Sequence, residues 1–455
     1  MRITTGFTKL LVVTGVCGGL MTGDAIAQPA DPPGERPATI TPSPAVAEAL
    51  ADMDAIVTEL AAVRGLTPQG PVNAQARNRE DVRAHLVELI EREYRPEEIA
   101  GDEATMRFLR ILEPEQSLVE LTLQLLQSQV SGYYDQDADV FYLIDDSDES
   151  TVRMVAAHEL FHAIQDQLWD LRVVQGPHVK LTDVGLARQS LIEGDATHAM
   201  FLFLAGGEPN QMIMDLAMRA METERPAMDV EIPDLMWRQL IAPYLRGLEF
   251  VTAVQEAGGW EAVNVAYEDP PQSTEQILHP ERYLERDEPV WLDWALEERS
   301  ALELVDEDIV GELTLVEWMR GLMSGTVSTS AMERAGEGWD GDRWRLYRDP
   351  EGRELGVWLF EMDSEEDALA LGTVLARTGG VLGGADAAPV APRGADDASW
   401  EGESALATLR VGQRGERVLW TMSRATAGAD AMTEREVRTW MEQVWGRASA
   451  GPYPE

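Results

Sequence analysis

Apolar residues from Ala45 onward recur every three or four positions. Leu50, Met53, Ile56, Val57 and Leu60 form one such stripe, Ala84, Leu86, Val87 and Ile90 a second, and Leu118 to Leu126 a third. That spacing lines one face of a helix and predicts a helical stretch over 45–129. The texture then changes. Val140-Phe141-Tyr142-Leu143-Ile144 is a β-branched and aromatic run, and with Tyr133 and Tyr134 across a polar turn it predicts a hairpin. Helical spacing returns at Thr151–Trp169 and in an apolar run over Gly185–Gly207 that glycines stop. Further helices are predicted at Gln211–Glu222, Leu235–Glu256 and Trp260–Tyr267. A short one follows within Asp269–Tyr283, capped by Ser273 or Thr274 and ended by Pro280. Leu302–Leu322 reads as helix. Trp344–Ala376 then reads as strand, turn, strand, helix, and the stretch from Thr408 to Trp445 reads the same way beyond a Gly/Ala-rich loop, Gly379–Ser399. The fold class expected is α+β: a mainly helical body over 45–290 with a small sheet, a helical connector over 291–330, and a C-terminal antiparallel ββα-ββα unit over 331–449.

Composition sharpens this picture in two ways. The net charge of -44 over 455 residues opposes binding to nucleic acid or anionic membranes. Lysine occurs only at Lys9 and Lys180, so arginine carries almost all the positive charge. The first residues match an export leader: Arg2 and Lys9, an apolar Leu10–Met21 too short to anchor in a bilayer, then Ala25-Ile26-Ala27, with cleavage expected after Ala27. A proline-rich tether over 28–44 follows. Cys17, the single cysteine, lies in the leader behind Val16, which a lipoprotein signal would not carry. The mature chain is therefore expected to be exported, periplasmic or extracellular, without a disulfide and with no membrane span.

Chemistry concentrates in AAHELFHAIQDQ, Ala156–Gln167. Residues four apart stand one turn above each other on a helix, so His158 and His162 can share one metal ion. Glu159 is rotated by about 100°. It is poorly placed as a ligand beside them and well placed as a general base toward metal-bound water. Met154, Ala157, Phe161, Ile164 and Leu168 make an apolar stripe next to one holding Val155, His158, His162 and Trp169. A hydrolytic zinc site uses three protein ligands and one open position. Thirty residues beyond His162, Glu193 interrupts an apolar helix, where a carboxylate is costly unless paired or metal-bound. It is the candidate third ligand. Asp195 and His198 are alternatives, and Asp195 could instead support a ligand histidine.

HELFH with a later glutamate resembles the gluzincin zinc metallopeptidases, of which thermolysin is a member. The resemblance implies Zn2+ on His158, His162 and Glu193, Glu159 as base, and a peptide or protein substrate lying along an edge strand, for which Val140–Ile144 is the candidate. The familiar pattern places a supporting aspartate four residues after the glutamate, and here that position is Thr197. GYYDQDADVFYL, HELFHAIQDQ, LIEGDA, PPQSTEQILHPERY and GWDGDRWRLY also resemble a group of little-characterised exported bacterial metallopeptidases.

Of the remaining histidines, His279 is a candidate donor to the oxyanion of a tetrahedral intermediate, with Tyr134 and Tyr244 as rivals. Its plainer reading is a helix-end residue against Pro280. His85 and His178 are expected to face solvent and His198 to be a hydrogen-bonded core residue. The expected function is a secreted zinc metallopeptidase. Two alternatives stay open: a zinc hydrolase of another amide or ester, and a non-catalytic exported scaffold with a structural metal.

Overall fold

The computed structural model describes residues 41–452 other than 137, 146–148, 177–180, 209–210, 224, 226–229, 297–300, 385–387, 391–397, 405 and 427–428. The leader, most of the tether and His178 lie outside the described residues. The N-terminal repeats fold as α1 (Pro44–Ala51), α2 (Met53–Arg64), α3 (Arg79–Glu93), α4 (Pro96–Phe108) and α5 (Leu118–Gln129). Ser43, Asn78 and Ser117 cap α1, α3 and α5 by accepting an orphan backbone N–H. One strand, β1 (Asn73–Arg77), interrupts the helices. Its NAQAR has no β-branched or aromatic residue, so no local pattern marks it. It is defined by its parallel pairing with a strand far along the chain.

That partner belongs to the expected hairpin of β2 (Gly132–Asp135) and β3 (Val140–Ile144). The sheet order is β1-β3-β2. Val140–Ile144 is therefore central, paired on both sides, and the expectation that it forms the sheet edge is corrected. The edge strand against the HELFH helix is β2. A side chain at Gly132 would meet Val155 at 3.0 Å, so glycine allows the close approach. Ile144 donates to the Ser131 carbonyl across the hairpin. The alternation of an antiparallel ladder then turns the N–H and C=O of Tyr134 away from β3.

The central helices are α6 (Glu149–Trp169), α7 (Leu171–Gln175), α8 (Thr182–Leu204), α9 (Gln211–Thr223), α10 (Asp234–Glu268), α11 (Thr274–Leu278) and α12 (Pro280–Glu285). Every residue of α6 from Val155 to Gln165 is buried, and so is α8 apart from Arg188, Gln189 and Leu204. Helices buried all round pack against neighbours on every face, and small residues let two of them come close. For α8 and α10 the place is Gly194 against Gly247: a Cβ on Gly194 would lie 2.2 Å from the Gly247 backbone, and one on Gly247 would lie 2.0 Å from the Ser190 carbonyl oxygen. Further on, α10 breaks at Gly259 (φ 68°), which only glycine adopts freely. This gives the two helical pieces expected on either side of it.

The C-terminal part holds β4 (Val290–Asp293), β5 (Glu303–Asp308), α13 (Gly311–Met323), α14 (Thr329–Gly336), β6 (Trp339–Arg348), β7 (Glu354–Met362), α15 (Glu365–Leu375), α16 (Thr378–Gly383), β8 (Ala388–Val390), β9 (Ser399–Glu403), β10 (Ala407–Arg414), β11 (Arg417–Arg424), α17 (Glu434–Trp445) and β12 (Ser449–Pro452). Both predicted ββα units are present, as β6-β7-α15 and β10-β11-α17. They sit in one antiparallel sheet of order β5-β6-β7-β11-β10-β9-β8, and the α+β class is confirmed. The helix expected over Leu302–Leu322, and with it the helical connector over 291–330, is corrected: Glu303–Asp308 is the edge strand pairing with β6, and the helix begins at Gly311. The reason is chemical. Asp306, Glu307 and Asp308 are buried, which hides the strand from a search for apolar alternation. Asp306 accepts from Thr105, Glu307 from Arg343 and Arg345, and Asp308 from the Thr182 backbone. One sheet face packs Trp339, Trp344, Trp358 and Trp420 under α13–α16 together with Phe108 of α4. The other packs under α17 and β4. Among the described residues no helix is long and apolar enough to cross a membrane.

Because α8 and α10 touch through bare backbone, Gly194→Ala and Gly247→Ala are each expected to destabilise the fold by about 1–3 kcal/mol. Urea denaturation reads this as a lower midpoint at unchanged slope. An unchanged midpoint in both variants would contradict the close crossing.

Candidate metal centre

The site is built from α6 and α8. His158 and His162 project from one face of α6, one turn apart, with their rings edge to face at 4.8 Å between centroids. Glu193 comes from α8, held against α6 by packing that includes Ala157, Leu160, Ala196 and Ala199. The donor atoms converge. His158 Nε2 lies 3.0 Å from Glu193 Oε2, His162 Nε2 lies 3.1 Å from His158 Nε2, and His162 Nε2 lies 3.4 Å from Glu193 Oε2. Among the described residues this is the one group of three or more His, Cys, Asp or Glu side chains with that convergence. The sequence-predicted ligand set is thus brought together.

The donor set fits a divalent cation. Zn–N and Zn–O bonds of about 2.0–2.1 Å at tetrahedral angles put ligand atoms roughly 3.3 Å apart, close to the three separations found. Two imidazoles and one carboxylate suit a divalent transition-metal ion. The electrostatics agree. Burial raises the Glu193 carboxyl, but the imidazoles of His162 and His158 outweigh it and hold the group well below the usual range. Burial in turn lowers His158 and favours the neutral, metal-binding ring. Gln189 donates to the other Glu193 oxygen at 2.6 Å.

Glu159 is fully buried; its carboxylate has no side-chain partner among the described residues and is faced by the backbone of Tyr134 on β2. Burial, then the nearby charge of Glu193, push its carboxyl well above its ordinary value, and the outward-turned backbone of Tyr134 offsets this in part. An unsatisfied buried carboxyl is expensive in a purely structural setting. The aromatic ring of Tyr244 on α10 lies 5.7 Å from that of His158.

His279 is not a member of the cluster. It sits between α11 and α12, and its Nε2 bonds both oxygens of Glu312 at 3.1 and 3.2 Å. That bond to Glu312, opposed by burial, raises its pKa. Tyr134 gives its hydroxyl to Asp139 and Asp166. Thr274 is held by the buried Asp183, while Ser273 caps α11. His85 does not simply face solvent: it is half-buried and stacks on Tyr133 at 4.8 Å. His198 is a core residue as expected, but its Nδ1 has no hydrogen-bond partner and its ring meets Trp260 edge-on.

Support for the histidines comes from a residue that motif reading passed over. His162 Nδ1 lies 2.6 Å from Gln165 Oε1, within the same HAIQ turn. Thr197, at the place of the familiar aspartate, leaves its hydroxyl unpartnered. Asp195 touches neither histidine and pairs with Arg64 at 2.7 Å. The only signal for Gln165 in the sequence was an amide three residues after a ligand, inside an otherwise apolar face.

Residues 300–433 match a family described as a domain of unknown function, DUF8575. The stretch runs from just before β5 to just before α17, and so contains none of the metal-site residues. No curated protein matches the chain significantly. Among solved structures, a candidate hydrolase with a novel fold from Chloroflexus aurantiacus is similar at 21% identity and a TM-score of 0.34, over 52% of this chain and 89% of that one. The chain is an α+β protein with a buried His-His-Glu cluster, and the chemistry rests on that cluster alone.

Zinc added to the metal-free protein is expected to raise the thermal midpoint, since ligand binding to the folded state alone stabilises it. Glu193→Ala is expected to remove most of that rise. An equal rise in the variant, read by calorimetry, would take Glu193 out of the site.

Proposed function

We propose that this protein is an exported zinc-dependent hydrolase that cleaves peptide bonds, with Glu159 as general base. The observation that carries the reading is the pairing of a three-donor cluster with a buried carboxyl one residue along the same helix that no described side chain partners. A structural zinc takes four protein ligands, whereas a catalytic one takes three. The HELFH…E pattern shared with gluzincins supports the same assignment.

His158, His162 and Glu193 would hold the ion, which supplies Lewis acidity toward a carbonyl and acidifies water. Glu159 removes a proton from the attacking water and returns it to the leaving amine. Of the candidate donors to a developing oxyanion, Tyr244 has its ring beside that of His158, whereas His279 lies apart from the cluster against Glu312. An extended peptide would align on the β2 edge, where the main-chain groups of Tyr134 point outward. Because the ligands and Glu159 are all at most 3% exposed, substrate entry requires one of the covering elements to move.

Glu159→Gln, which keeps shape and removes the base, is expected to retain zinc and to lose about 10²–10⁴-fold in hydrolysis of a mixed peptide library. Zinc-loaded variant cleaving as fast as wild type would refute the mechanism. Cleavage by wild type of an ester or non-peptide amide library, with peptides untouched, would reassign the substrate.

A further inference from the structure

The buried polar groups behind His162 form an unbroken line that the proposed reaction does not use. Gln165 Oε1 meets His162 Nδ1. Gln165 Nε2 donates to the Ile192 carbonyl at 2.9 Å and to the Tyr267 hydroxyl at 2.6 Å. Tyr267 donates in turn to Asp195 Oδ2 at 2.9 Å. Arg64, at the end of α2, closes the line on Asp195 through Nε and Nη2. Arg64 also donates to Asn264 and lies 4.1 Å over the Trp260 ring. Gln165, Tyr267, Asp195 and Arg64 are all buried.

Each link has a single polarity. The Ile192 carbonyl can only accept, so the amide nitrogen of Gln165 must face it, and the amide oxygen must face His162. An amide oxygen can only accept, so His162 must carry its proton on Nδ1. Its Nε2 then presents a lone pair to the cluster. Asp195 is an acceptor that takes the Tyr267 proton, which leaves the phenol oxygen free to accept from Gln165. The charge of Asp195 is matched in place by Arg64.

We infer that Gln165, locked by Ile192, Tyr267 and the Asp195–Arg64 pair, is the positioning residue that fixes the ligand tautomer of His162, and that α2 is thereby an integral part of the metal centre. The inference rests on the zinc reading above and names what holds the site in register. A glutamate could not replace Gln165: it would accept from His162 but would set a second acceptor against the Ile192 carbonyl and the Tyr267 oxygen. The line also bears on the N-terminal helices. Arg64 of α2 supplies the cation that pairs the buried Asp195 carboxylate, so the line from His162 ends on α2.

The test uses the full mature chain with two readouts. Zinc affinity is measured by chelator competition for wild type, Gln165→Glu, Gln165→Leu and Tyr267→Phe. The tautomer of His162 is read from 15N-histidine NMR of the metal-free proteins, assigned with His162→Gln. Wild type is expected to show a protonated Nδ1 and a bare Nε2. Gln165→Leu is expected to lose that signature and about 10–100-fold in zinc affinity, whereas Gln165→Glu is expected to keep Nδ1 protonated and to weaken zinc through the acceptor it sets against the Ile192 carbonyl. Tyr267→Phe removes one hydroxyl with little change of shape, and is expected to keep the tautomer and weaken zinc by less. Wild-type His162 protonated on Nε2, or Gln165→Glu binding zinc as tightly as wild type, would overturn the inference. Wild type that binds no zinc would instead sink the functional reading, while the tautomer still decides this one.

Discussion

A carboxylate at the middle of an almost wholly buried helix is the constraint around which this structure is arranged. Glu193 is 1% exposed, with apolar side chains before and after it on α8. Left alone, it would take up a proton or unfold its surroundings. Two imidazoles from α6 stand within 3.4 Å and reverse the effect of burial. This arrangement needs α6 and α8 at a fixed separation and rotation. Small residues at their contact, and the glycine crossing of α8 with α10 behind it, provide that.

A related logic, a buried carboxyl answered by specific donors, recurs away from the site and joins the two parts of the chain. Asp183 at the start of α8 accepts from the backbone and hydroxyl of Thr274, and Asp342 of β6 accepts from the backbone of Val310 and Gly311. Asp183 also packs so closely on Gly311 that a Cβ there would lie 1.9 Å from its oxygen. The segments STEQILHPER, which holds the oxyanion-donor candidate His279, and GWDGDRW thus serve to seat the C-terminal sheet against the helical body. This gives both segments a structural part that motif reading could not assign.

How much of this was legible beforehand divides along a physical line. Helices with apolar stripes, the Tyr133–Ile144 hairpin and both ββα units announce themselves through local period, and Gly259 announces its kink. The ligands were legible because metal spacing on a helix is local, and because Glu193 is anomalous where it stands. Features that depend on remote partners were hidden. β1 has no strand-like residues and exists through its pairing with β3. β5 buries carboxylates whose partners, Thr105, Thr182, Arg343 and Arg345, lie far off in sequence. The central place of β3 follows from β1, so missing one misplaced the other. Gln165 carries no charge and no motif, and its importance lies in the direction of its amide, which only Ile192 and Tyr267 reveal.

The central claim, that His158, His162 and Glu193 hold a catalytic ion with one position left for water, is tested most directly by X-ray absorption of the zinc-loaded protein. The account predicts a first shell of two imidazole nitrogens and two oxygens at about 2.0–2.1 Å, one oxygen from Glu193 and one exchangeable. A shell completed by a fourth protein donor, or zinc bound with fewer than two imidazoles, would contradict it.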